Sequence, residues 1–145
     1  MALIIDIADA VVSELNDTLP EVFSPPFTAV RRVLPEFELA ELTDLKVTVV
    51  PKSIEISGAT RGAGAFDYEV DIGVQKKLGK NIDAEVTELC GLVETIIAFM
   101  RQRPLGRLPY LKWVRTRNDP VYAPEHLAEQ RTFTSVITLS YRSIG

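Results

Sequence analysis

Three carboxylates at alternate positions, Asp67, Glu69 and Asp71, are the first residues of this sequence whose types and spacing suggest chemistry. On an extended strand they share one face, separated by about 7 Å per step. Such a row offers oxygen ligands to a divalent cation, or an acid and a base to a small hydrolase. Geometry weighs against both uses. Glycosidase carboxylates normally face each other across a cleft from different elements, and a calcium site draws its ligands from a curved loop. The competing expectation is an acidic strand face turned to solvent or to a partner.

Other chemical signals are sparse. His126 is the only histidine, so a histidine cluster for zinc is excluded, and a zinc site with Cys90 would need carboxylates to complete it. No serine lies in a G-x-S-x-G context. Gly58, Gly62 and Gly64 flank Arg61 in a glycine-rich segment, but it matches neither phosphate-cradling template, because a strand and not a helix follows it. No catalytic residue, cofactor site or metal site is assigned, and the expectation is a protein that is not an enzyme.

The elements around the carboxylates are legible from periodicity. Phe66, Tyr68, Val70, Ile72 and Val74 alternate with the acids, which predicts a strand with one apolar and one acidic face. From Val86 to Met100 the spacing changes: Val86, Leu89, Cys90, Val93, Ile96, Ile97 and Met100 form one helical stripe, with Asp83 as the expected N-cap. Ile4, Ile7, Ala8, Val11, Val12 and Leu15 predict an amphipathic N-terminal helix, stopped by Asn16, Asp17 and Pro20. Pro25 and Pro26 then hold an extended linker. Strands are expected at Thr28 to Leu34 (an edge) and at Leu45 to Val50. Pro51 bends or breaks the latter before Ile54 and Ile56 continue the arm. Glu36, Phe37, Glu38, Leu39, Glu41 and Leu42 form an acidic connection, and Gly58 to Gly64 a mobile hairpin tip. Leu111 to Arg117 is a short strand with Leu111, Trp113 and Arg115 on one side; Pro124 to Glu129 is irregular or one helical turn; Thr132 to Arg142 is a long closing strand. The order gives an α+β fold, an antiparallel or mixed sheet packed on one face by two helices, with a long protruding β-hairpin.

Length and composition are those of one ordinary domain, 1–145, with 25% charged and 46% apolar residues. No stretch approaches the roughly 20 apolar residues of a membrane span, so no membrane partner is expected. Met1 to Ile7 lacks a basic leader, and Cys90, alone in the chain, reads as a small buried hydrophobe; both point to folding in the cytosol. Charge is unevenly spread. Arg101, Arg103, Arg107, Lys112, Arg115 and Arg117 form a stretch free of acids, so the rest of the chain carries −10 against a net −4. Only Tyr110 and Trp113 interleave those cations, which argues against nucleic-acid binding. Either the charged faces are simply solvated, or the basic stretch of one copy meets the acidic part of another.

One family shares this succession. A leading helix, Val30-Arg31-Arg32-Val33-Leu34-Pro35, Leu45-Lys46-Val47-Thr48-Val49-Val50-Pro51, a Gly/Arg tip, Tyr68-Glu69-Val70-Asp71-Ile72-Gly73-Val74-Gln75-Lys76-Lys77 and a long helix resemble the tail-terminator and tail-completion proteins of tailed bacteriophages. The resemblance covers most of the chain and is a pattern of elements, without invariant catalytic residues. It implies a structural protein of the virion neck, assembled in the host cytoplasm. A hexameric ring of this chain would cap the tail tube, stop its growth and present a surface to the head-completion or connector protein. Asp67, Glu69, Asp71, Arg61, Arg101, Arg103, Arg107, Arg115 and Arg117 then become candidates for subunit or tube contacts. The carboxylates would either line the lumen, where DNA passes without sticking, or meet the basic stretch of the next subunit. An arm reaching a neighbour through Arg61 and a plain flexible turn are both compatible with the tip. A head-completion or stopper protein is the neighbouring possibility, and a carboxylate-dependent hydrolase the one from another class.

Overall fold

A computed structural model describes residues 2–17, 22–34, 42–60 and 62–144. Pro20, the acidic connection Glu36 to Glu41 and the tip residue Arg61 lie outside the described residues. The fold is α+β: a five-stranded mixed sheet with three helices. In chain order these are α1 (Leu3–Asn16), β1 (Ala29–Arg31), β2 (Lys46–Thr60), β3 (Ala63–Lys77), α2 (Ile82–Met100), β4 (Lys112–Asn118), α3 (Pro124–Gln130) and β5 (Thr132–Ile144). Across the sheet the order is β1-β2-β3-β5-β4. β1 is parallel to β2, and every other pair is antiparallel.

The alternation expected of β3 sets the core. Val70, Ile72 and Val74 are fully buried, and their cross-strand partners Leu139, Ile137 and Ser135 on β5 are buried too. Val47 and Val49 of β2 oppose Val74 and Ile72 and join the same cluster. Onto it α1 brings Ile7, Ala8, Val11 and Leu15, and α2 brings Leu89, Leu92, Val93, Ile96 and Met100. Burying a Leu, Ile or Val side chain contributes about 1.5–3 kcal/mol, so these stripes, more than helix propensity, hold the helices in place. The C-terminal end of α1 is clasped to β1 by Asn16, whose amide donates to Ala29 O at 2.9 Å and accepts from Ala29 N at 2.8 Å.

Several boundaries differ from the sequence expectation. The first strand keeps only Ala29 to Arg31, and Arg31 pairs with Asp9 of α1 at 2.6 Å. The N-cap of α2 is Asn81 and not Asp83: the Asn81 side chain accepts from Ala84 N, leaving Asp83 and Glu85 in the first turn, where the helix dipole favours them. The segment at Pro124 winds further than one turn and ends at Arg131 in a left-handed conformation, φ 50°. Pro51 does not break β2. A bulge between Pro51 and Ser53 absorbs Lys52, and the pairing with β3 continues to Thr60. β3 in turn stays paired with β5 as far as Ala65, so the part of the hairpin that runs past β5 begins only there.

Candidate functional site

The carboxylate row lies on the sheet face opposite Val70, Ile72 and Val74, and register rows show what surrounds it. The first runs Glu55, Asp67, Arg142, Lys112; the second Ser53, Glu69, Ser140, Arg115; the third Val50, Asp71, Thr138, Arg117. Two bulges bring these residues onto one face. In β2 the extra Lys52 moves the inward-facing positions from odd (Val47, Val49) to even (Ile54, Ile56). In β4 an irregularity at Val114 places Lys112, Arg115 and Arg117 together, with Trp113 and Thr116 on the other side. The simple alternation expected for Leu111 to Arg117 therefore fails at Val114. Trp113 Nε1 donates to Thr116 Oγ1 at 2.9 Å across the bulge.

Each acid in the row is held by its own chain. Arg142 grips Asp67 with two hydrogen bonds, Nε to Oδ1 at 2.7 Å and a terminal nitrogen to Oδ2 at 3.0 Å, a fork that suits a carboxylate. Glu69 accepts from Ser53 Oγ at 2.7 Å and Ser140 Oγ at 3.0 Å, with Arg115 at 3.8 Å. Asp71 accepts from Thr138 Oγ1 at 2.6 Å, with Lys52 Nζ at 3.8 Å. The Arg142 hydrogen bonds hold the Asp67 carboxyl below its usual range despite partial burial. The Ser53 bond, then Ser140, Lys52 and Arg115, do the same for Glu69. A general acid needs the opposite shift. The row is a cross-strand network closed within the subunit; its cations are Arg142, Lys52 and, from the basic stretch, Arg115.

The other candidate cations divide. Arg103 is a strut: it donates through Nε to Glu14 Oε1 at 2.8 Å, lies 3.9 Å over the Phe99 ring, and its carbonyl accepts from the buried Tyr141 hydroxyl at 3.0 Å. Arg117 pairs with Asp119 at 2.8 Å on an exposed turn. Arg101, Arg107 and Lys112 are exposed and make no ion pair among the described residues. Cys90 is half-buried, and burial, with Glu94 nearby, raises its thiol pKa, so it stays protonated and unreactive. Periodicity missed Arg142, Lys52, Ser53, Thr138 and Ser140. The parity change from Val47 and Val49 to Ile54 and Ile56 was the available signal for the β2 bulge that brings Ser53 into the row.

Two clefts open at the sheet margins. One, about 420 Å³, lies between β1 and β2 and is lined by Thr28, Val30, Lys46 and Thr48 among others. The second, about 450 Å³, lies at the β4 edge against Tyr110, Lys112, Trp113, Val114, Arg142 and Ile144. Among the described residues no group of three or more His, Cys, Asp or Glu is placed to hold a metal ion. Among them, too, no helix is long and apolar enough to cross a membrane. Comparison with known protein families finds no family model that matches the chain, and comparison with curated proteins finds no match.

Proposed function

We propose that this chain is a structural ring subunit of a phage neck, one that caps the tail tube, ends its polymerisation and offers a surface to the head-completion protein. The observation that carries the reading is a single sheet with two unlike open borders. β1 covers β2 only at Val47 to Val49, and no strand among those described pairs with the outer side of β4. In this reading α1 and α2 cover one sheet face, while the β2–β3 hairpin stands out past β1 as an arm. A subunit with two different borders joins its copies head to tail, and such joints close into rings when the rotation permits. In this reading the acidic row does not make a charged lumen, since Arg142, Lys52 and Arg115 of the same subunit lie against it. The hydrolase alternative is weakened because the partners of Asp67 and Glu69 lower both carboxyl pKa values, the opposite of what a general acid needs.

The experiment adds purified chain to a polymerising phage tail-tube protein and follows tubes by negative-stain microscopy. Rings at one end of shortened tubes are expected. Tubes that elongate unchanged and never carry the chain would overturn the reading, and binding to DNA-filled heads in place of tubes would assign the chain to the stopper class.

A further inference from the structure

The rows that organise the carboxylates span the sheet and end on its open borders. Glu55 terminates one row on β2 and Lys112 terminates the same row on β4. The neighbouring row, on the other face, runs Ile54, Tyr68, Tyr141, Trp113. Ile54 and Ile56 are 53% and 65% exposed, unusual for isoleucines in a regular strand, and Glu55 between them is exposed with no ion pair among the described residues. On the far border Lys112 is exposed beside the cleft of about 450 Å³, where Tyr110 and Ile144 are 54% and 62% exposed. One border thus carries an anion and, on the other face, two exposed isoleucines, while the opposite border carries a cation beside a cleft at the same level of the sheet; neither charge has an ion-pair partner among the described residues.

We infer that the outer edge of β2, from Pro51 outward, docks along the β4 edge of a second copy of this chain. Glu55 then meets Lys112 of the next copy in the cleft beside its Tyr110 and Ile144, and on the opposite face Ile54 comes level with that copy's Trp113. Strand direction favours the joint. β2 is antiparallel to β3, β3 to β5 and β5 to β4, so β2 and β4 point in opposite directions. A copy displaced sideways without being flipped therefore meets its neighbour as an antiparallel pair. In that arrangement opposite charges directly across stabilise, and main-chain groups left open on both borders bond each other. The bulges at Lys52 and Val114 and the cations Arg115 and Arg117 keep these edges from pairing indiscriminately, so only an edge with the right charge pattern is admitted. The joint deepens the ring reading and rests on it, naming the two surfaces such a ring would use.

Two double variants test it: Ile54→Asp with Ile56→Asp on the arm, and Tyr110→Asp with Lys112→Glu at the cleft. All four side chains are exposed in the monomer, and melting curves verify that each variant folds. By analytical ultracentrifugation at millimolar concentration the parent chain is expected to be multimeric and each double variant monomeric. An equimolar mixture of the two variants should give a species of two chains, because one intact arm and one intact cleft remain. Glu55→Lys or Lys112→Glu alone should weaken association about fivefold per joint, and the two changes together in one chain should restore it. That charge exchange carries the test if a double variant melts early. A monomeric parent chain, double variants that assemble like the parent, or a mixture that stays monomeric overturns the joint. Variants that still ring and cap tubes would overturn the joint and leave the neck reading standing. A chain that joins edge to edge yet ignores tail tubes would do the reverse.

Discussion

Asp67 and Glu69 release their protons more readily in the folded chain than free carboxyl groups do, the first because of Arg142 and the second because of Ser53 and its neighbours. Near and below about pH 4 the unfolded chain therefore binds more protons than the folded one. The stabilisation is complete above that range and disappears as the pH falls through the folded pKa values. Calorimetric melting temperatures should accordingly drop more steeply with acid for the parent chain than for Asp67→Asn, and parallel slopes would refute this. Thr48 gives a second prediction at this scale. Its hydroxyl is buried without a hydrogen-bond partner among the described residues, and any side chain at Gly73 would bring its Cβ to 3.0 Å from it. Thr48→Val removes an unsatisfied group at nearly constant volume and should stabilise by about 1 kcal/mol in urea unfolding. The acids themselves were plain in the sequence; their partners were not, because Arg142 is 75 residues away and meets Asp67 only through the β3–β5 register.

At the scale of elements, periodicity located α1 and α2 because each has one buried stripe. α2 shows the rule and its limit. Its apolar stripe was legible from Val86 to Met100, but its start was not, since Asn81 and Asp83 are both good caps and only geometry selects between them. Asn81→Ala should cost about 1 kcal/mol and Asp83→Ala less, as measured by chemical denaturation; equal losses would contradict the observed cap. Bulges were the element feature least accessible to pattern reading. A residue inserted at Lys52 or Val114 reverses the faces of everything beyond it, and strict alternation cannot anticipate that.

For the whole molecule, stability should be graded across the sheet. β3 and β5 lie inside it, paired on both sides, whereas among the described residues no strand pairs with the outer side of β2 beyond Val49 or of β4. Hydrogen exchange in the monomer should show the strongest protection in Val70 to Val74 and Ile137 to Tyr141. Ile54 to Ser57 should exchange early and become protected on assembly. Protection of Ile54 to Ser57 that does not change between monomer and multimer would count against edge-to-edge association. The uneven charge along the chain was visible in the sequence, but not that Arg103 and Arg115 spend theirs on Glu14 and Glu69 of the same subunit.

The position of β5 carries a consequence for biosynthesis. It follows β4 in the chain yet inserts between β3 and β4, so it is the wedge that attaches β4 to the rest of the sheet. A nascent chain that has emerged only to Gln130 has its arm but no anchored border to receive a neighbour's. If copies join as proposed, growing polypeptides on one messenger would be kept from linking into chains until β5 has been made.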